Sequence, residues 1–213
     1  MHSLPRELPQ PLKLRVLDFP SRHETLYSRH AANQSRSLES GHLDFVVQAP
    51  LDHLSNGDST APVIFLDPYP VTRQLPRHGY QLVYTPTQGC ADFHMWSGRV
   101  IDNLRHALLG DLLVSADYLN FLEMLRDNQS RQLRYELIDC ETPTKVPYQQ
   151  LLGLRFKTLF AMVLAPDNLS IRYWSLLANA LSVMNPDLKS FALGMQPSPR
   201  MVPQLLLLGE PEL

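Results

Sequence analysis

Glycine is scarce in this chain: nine residues in 213, against eighteen prolines. Neither a GxGxxG nor a GxxxxGK motif is present, which excludes the common glycine-rich phosphate loops. There are only two cysteines, Cys90 and Cys140. That is too few for a disulfide framework or a structural zinc cage. Neither sign of charge dominates, since nineteen basic residues face twenty-one acidic ones for a net of −2. No global positive field therefore draws the chain to nucleic acid. Long apolar runs are missing too. Leu159–Ala165 and Leu205–Leu208 fall far short of a membrane span, and MHSLPRELPQPLKLRV lacks the apolar core of a signal peptide. The expected location is the cytoplasm, or export without a cleaved signal. All eight histidines lie between His2 and His106, and the second half has none.

What is present is an ordinary globular complement, 44% apolar and 19% charged, at a length suited to one domain. Residues 1–11 are proline-rich and read as a loose segment. Period-2 or short apolar runs bounded by turn residues predict strands at Leu12–Phe19, Leu43–Ala49, Val63–Leu66, Tyr80–Thr85 and Gln132–Cys140. Helical spacing of Val100, Ile101, Leu104, Leu108, Leu112 and Leu113 predicts one long helix, or two meeting near Gly110. A last helix is expected over Leu169–Met184, capped by Asp167 or Asn168 and stopped at Asn185-Pro186. Gly153–Ala165 is apolar but ambiguous. The expected fold is α+β: a small mixed or antiparallel sheet packed with two or three long helices. Its single domain spans 12–194, with a proline-punctuated tail over 195–213.

Arg15, Arg22, Arg29 and Arg36 recur every seven residues through the repeat SRHETLY-SRHAANQ-SRSLESG. On a helix they would form one stripe, either an acidic-partner face or a solvated one.

His42, Asp67 and Cys90 form the most suggestive constellation. His42 opens the strand LDFVV, and Asp67 closes VIFL before Pro68. The two strands could pair as a hairpin through the Asn56-Gly57 turn. Cys90 follows YQLVYTP and precedes the long helix, where a helix N-terminus would stabilise a thiolate. An imidazole would take the thiol proton, and a carboxylate would fix its tautomer. Papain-like enzymes place their histidine well after the cysteine. Here only His94 and His106 follow Cys90, so any triad must take its histidine from upstream.

The order His, acid, Cys resembles that of the adenain and ubiquitin-like-protein proteases and of the YopJ-type acetyltransferases. The similarity covers about residues 41–110 and rests on Gly41-His42-Leu43-Asp44-Phe45-Val46-Val47, Val63-Ile64-Phe65-Leu66-Asp67-Pro68 and Cys90-Ala91-Asp92-Phe93. The chain departs from that clan in three ways, one of them a His42–Cys90 interval shorter than the clan's. Ala91 stands at the turn glycine, and Gln88 lies nearer the cysteine than the clan's oxyanion glutamine. The resemblance implies a cysteine-dependent acyl-transfer enzyme. Cys90 would be its nucleophile, His42 its base and Asp67 the orienter, with Gln88 or backbone N–H groups at the oxyanion. Its substrate would be a protein. The long stretch after Cys90 leans toward acetyltransferase, with acetyl-CoA as cofactor, although no cofactor is firmly implied and lysines there number only Lys145, Lys157 and Lys189.

The rival reading is a non-catalytic adaptor, or a homodimer, that binds a protein partner. Its interface would be the apolar helix face of Leu169, Tyr173, Trp174, Leu176, Leu177 and Leu181, together with Leu205–Leu208. Cys90-x-Asp92-x-His94, with His78 nearby, is not a zinc spacing, and no metal is expected. VIFLDPYPVT is similar to a haloacid-type phosphatase motif, but Tyr69 replaces its second aspartate. The region of Leu164-Ala165-Pro166 is similar to part of the sugar-phosphotransferase EIIA domains. Its half of the chain has no histidine to accept a phosphoryl group.

Overall fold

A computed structural model describes residues 12–28, 42–53, 61–86, 90, 92–110, 116–142, 144–166, 169–198 and 202–212. Nine strands and four helices lie among them, in the order β1 (Lys13–Asp18), β2 (His23–Ser28), β3 (His42–Val47), β4 (Val63–Asp67), β5 (Gly79–Val83), α1 (Phe93–Leu109), α2 (Tyr118–Asp127), β6 (Gln132–Asp139), α3 (Tyr148–Leu151), β7 (Phe156–Ala165), α4 (Ile171–Met184), β8 (Ser190–Pro197) and β9 (Gln204–Pro211). All nine strands join one sheet, ordered β2-β1-β3-β4-β5-β6-β9-β7-β8.

The pairing is mostly parallel. β1, β3, β4, β5 and β6 run parallel in succession, as do β7 and β8. Only β2 against β1, and β9 against both β6 and β7, are antiparallel. The fold is therefore α/β and not α+β, and the expectation of a small sheet with long helices is corrected. The hairpin expected between His42 and Asp67 is corrected as well, because β3 and β4 are parallel with Asp44 beside Val63 and Val47 beside Leu66.

Burial on both faces explains the strands that the apolar pattern left ambiguous. In β7, Phe160, Met162 and Leu164 enter one core while Leu159, Ala161, Val163 and Ala165 enter another. Such a strand reads as a continuous apolar run instead of an alternation. β9 behaves the same way: Leu206 and Leu208 face one core, Leu205 and Leu207 the other. The Leu205–Leu208 run, read from sequence as part of a proline-punctuated tail, is thus in a central strand held between β6 and β7.

One face of the whole sheet is covered by α1 and α2. Val100, Ile101, Leu104, Ala107 and Leu108 of α1 pack with Leu14, Phe45, Ile64 and Leu82, and Phe121 and Met124 of α2 join the same core. Asp92 caps α1, accepting from the Met95 amide at 2.8 Å. Asp117 and Asn120 cap α2 reciprocally, each at 3.1 Å. The opposite face is covered in two different ways. Over β6, β7, β8 and β9, α3 and α4 supply Leu151, Tyr173, Leu177 and Leu181. The cap of α4 is Ser170, not Asp167 or Asn168. Over β3 and β4 no helix lies among the described residues. Phe19, Leu75 and Ala49 close a small cluster on Val46, Val63 and Phe65 instead.

The arginine stripe is not helical where it is described. Arg15 lies on β1, and Arg22 lies in the β1–β2 turn at φ 54°. Arg29, Arg36, the 1–11 segment and Gln88 lie outside the described residues.

Candidate functional site

The expected triad residues stand on different parts of this frame. His42 is at the amino end of β3 and Asp67 at the carboxyl end of β4, which the parallel register places roughly 20 Å apart along the sheet. His42 Nε2 is 2.6 Å from Asp44 Oδ1, on its own strand. Asp44 also accepts from Arg15 Nε at 3.0 Å across the β1–β3 pair. Asp67 is taken up by Arg73 and Gln81: Arg73 Nη2 donates to Oδ1 at 2.8 Å, and Gln81 Nε2 to Oδ2 at 2.7 Å. Cys90 is 2% exposed and packs in the core with Phe93 and Trp96. It precedes the Asp92 cap instead of opening α1, and Tyr84 donates its hydroxyl to the Cys90 carbonyl at 3.1 Å. Cys140 is fully buried.

In parallel α/β sheets a ligand site usually lies at the carboxyl ends of the strands. Here that edge is closed next to β4. Arg73 reaches over it, donating also to the carbonyls of Ala49 (2.9 Å) and Pro50 (2.8 Å) while its guanidinium stacks 4.6 Å from the Phe65 ring centre. His53 lies beside it, edge-on to Phe19 at 4.7 Å. Burial, and then the Arg73 charge, hold the His53 imidazole below its ordinary pKa, partly offset by Asp52.

The amino ends are open. A cavity of about 580 Å³ lies there, between the starts of β3, β4 and β5 and one side of α2 from its first turn to its last. Its polar lining is basic. Arg77 and His78 come from the turn before β5, Arg126 from the end of α2, and Arg131 from the turn before β6, with His42 at the rim. No Asp or Glu is among the lining residues. The apolar wall is Tyr80, Tyr118, Leu122 and Leu125.

Two turns hold the arginines in place. Pro76-Arg77-His78-Gly79 is a tight turn closed by the Gly79 amide on the Pro76 carbonyl at 2.9 Å. A Cβ at Gly79 would lie 2.5 Å from the Pro76 ring, so the turn requires glycine there. The second turn leaves α2 at Asn128. Asn128 Oδ1 accepts from the Arg131 amide at 2.7 Å, and Glu210 accepts from the amides of Gln129 and Ser130 at 3.1 Å each. This clamp holds Arg131 at φ 57°, in the left-handed region. Arg131 Nη1 then donates to the Pro76 carbonyl at 3.2 Å and joins the two turns. Tyr118 donates its hydroxyl to the His42 carbonyl at 2.9 Å, tying α2 to β3. Burial raises the Tyr80 phenol pKa, partly offset by the Arg131 and Arg126 charges, so its hydroxyl stays a neutral donor. Chemically the arrangement suits an anion.

Of the residues singled out from sequence, only His42 borders this cavity, with His78 from the rejected metal set. Arg77, Arg126 and Arg131 were missed because they come from two separate turns and the end of a helix. The available signals were the Pro-Arg-His-Gly and Asn-Gln-Ser-Arg turns, which place Arg77 two residues before β5 and Arg131 directly before β6.

This mostly parallel nine-stranded sheet, with helices on one side throughout and on the other over half its width, is similar in fold to proteins of the tubulin/FtsZ class. Three solved structures carry the likeness. A tryptophan-to-tyrosine mutant of FtsZ from M. jannaschii aligns at TM-score 0.54 and 9% identity, over 81% of this chain and 66% of that one. An empty FtsZ dimer from M. jannaschii aligns at 0.52 and 8%, over 80% and 63%. A GTPγS-form protofilament of TubZ from Bacillus thuringiensis serovar israelensis aligns at 0.50 and 9%, over 85% and 64%. The chain thus spans slightly under two thirds of the length of each. No family model matches the sequence, and no curated protein matches it.

This likeness replaces the resemblance to YopJ-type acetyltransferases and adenain-like proteases. With it goes the cysteine acyl-transfer activity, its protein substrate and its acetyl-CoA. The adaptor alternative finds no support in it either. Most of the adaptor's apolar segment is taken up by the core: Leu169, Tyr173, Leu177, Leu181 and Leu205–Leu208 are buried, while Leu176 is exposed. No helix among the described residues is long and apolar enough to cross a membrane.

Proposed function

We propose that the chain is a self-associating protein of the tubulin/FtsZ fold, forming dimers or filaments of its own copies. The support is the likeness of fold over 81% of the chain to FtsZ, together with the states in which the matched proteins were solved, an FtsZ dimer and a TubZ protofilament. This is an argument from fold, and activity must be argued from a site. The reading therefore stops at assembly and does not extend to GTP hydrolysis. The chain has no glycine-rich phosphate loop, and Arg73 occupies the carboxyl-end edge beside β4. Two buried free thiols suit a reducing compartment such as the cytoplasm.

The test is sedimentation velocity with negative-stain microscopy over a rising concentration series, with and without GTP. Growth of dimers or filaments with concentration is the expected result. A monomer at every concentration under both conditions would overturn the reading.

A further inference from the structure

We infer that the basic cavity at the amino ends of the parallel strands binds a small organic phosphate. Its phosphate groups would be held by Arg77, Arg126 and Arg131, and its ring or apolar part would lie on Tyr118 and Leu122. The inference does not depend on self-association.

Three observations carry it. The first is charge without compensation. Three guanidinium groups share one cavity whose lining includes no carboxylate, and among the described residues neither Arg77 nor Arg126 forms an ion pair. Like charges gathered in a partly enclosed space repel, and a bound anion relieves that repulsion. Arg126 has an independent reason for its place, since a cation in the last turn complements the negative end of α2. Arg131 spends one donor on the Pro76 carbonyl, but neither Arg77 nor Arg131 lies at a helix end that would offset its charge. The second observation is preorganisation. The hydrogen bonds of the two turns, and the Arg131–Pro76 bond between them, fix the backbone that presents the cations before any ligand arrives. Less ordering then remains to oppose binding. The third is the mixed lining. A cavity of about 580 Å³ falls within the size range of small-molecule sites, and it joins a cationic side to an aromatic and aliphatic wall. A bare inorganic ion would leave that wall unused. Guanidinium groups match phosphate in planar, two-pronged hydrogen bonding, which favours phosphate over a simple halide.

The test is calorimetric titration of the full chain with a nucleoside triphosphate and, separately, with inorganic pyrophosphate, at low and high salt. Saturable binding that weakens with salt is expected, with the nucleotide tighter than pyrophosphate. Arg131→Gln and Arg77→Gln should each weaken nucleotide binding by about tenfold, and Arg131→Lys should weaken it less. Circular dichroism establishes that each variant is folded. Arg77 is exposed in a turn, so Arg77→Gln remains informative if the Arg131 variants do not fold. No binding of either probe at millimolar concentration would overturn the inference. So would binding that is unchanged in both glutamine variants. Equal affinity for nucleotide and pyrophosphate would overturn the assignment of an organic ligand.

Discussion

Arg73 closes on Asp67 from the loop that follows it in sequence, with Nη2 2.8 Å from Oδ1 and Nε 3.3 Å from Oδ2. The two side chains are 1% and 3% exposed, so the pair is withdrawn from water. Arg73 also donates to the carbonyls of Ala49 and Pro50, and its guanidinium lies over Phe65. Parallel strands are normally connected by a helix that also covers the sheet. Here one arginine draws the β4–β5 connection across the sheet edge, where it covers apolar residues that a helix would otherwise shield.

Breaking the pair from one side leaves a buried charge without a partner. Arg73→Met or Asp67→Asn should each cost about 3–5 kcal/mol of stability. The double variant should cost clearly less than the two single costs combined, since neither charge is then stranded. Urea unfolding followed by circular dichroism measures all three. Additive losses would show that the pair is not coupled.

Two glycines should respond in opposite directions. Gly98 sits on the exposed side of α1, and a Cβ there meets nothing within 4 Å. Gly98→Ala should stabilise the fold by about 0.5–1 kcal/mol through helix propensity and a less flexible unfolded chain. Gly209 lies in β9, where a Cβ would come within 1.9 Å of the Thr158 carbonyl oxygen. The obstruction is backbone in a neighbouring strand and cannot swing aside. Gly209→Ala should therefore destabilise by about 3 kcal/mol. Thermal melts of the two variants beside wild type decide the matter, and a neutral Gly209→Ala would mean that β9 is not packed as described.

Local pattern made β1, β3, β4, β5 and β6 legible in the sequence, because each is a short apolar or alternating run between turn residues. The α1 and α4 faces were legible from their 3.6-residue spacing. What was hidden is everything set by pairing. Nothing in LDFVV or VIFL states whether they pair parallel or antiparallel, and that choice moved Asp67 to the end of the sheet remote from His42. Leu205–Leu208 looked like surplus apolar surface because a strand buried on both faces has no polar side to announce it. β2, with most of its residues exposed, carried too little apolar signal to be noticed. The cavity was the least legible feature, since its arginines converge only after four strands have been ordered.

Thiol labelling bears on the fate of Cys90 directly. An activated cysteine would react far faster than a buried one. Cys90 and Cys140 are 2% and 0% exposed, so both should react slowly with iodoacetamide in the folded protein, at rates set by opening of the fold. Both should react quickly in urea. Mass spectrometry of the two tryptic peptides separates the sites. Rapid, selective modification of Cys90 without denaturant would show that its surroundings are not the closed aromatic core of Phe93 and Trp96.

Alkaline pH should loosen the half of the molecule built on α4. Burial raises the Cys140 thiol above its ordinary pKa of 9.0, and burial likewise raises the Tyr173 phenol above 10.0. Both groups are neutral when protonated, and the fold keeps them so. The unfolded chain releases these protons at the ordinary values, while the folded chain retains them to higher pH. Above about pH 9 the folded state therefore binds more protons than the unfolded one, and each further rise in pH favours unfolding. Stability from these groups is complete below their ordinary values and declines upward from there, first through Cys140 and then through Tyr173. Cys140→Ala removes the earlier of the two titrations and should flatten the first part of the decline, at the cost of a small cavity that lowers stability equally at neutral pH. Urea midpoints measured from neutral pH to about pH 10 provide the comparison. A wild-type midpoint that holds constant across that range, or a Cys140→Ala variant with the same alkaline slope as wild type, would place the titrating thiol outside the α4 core.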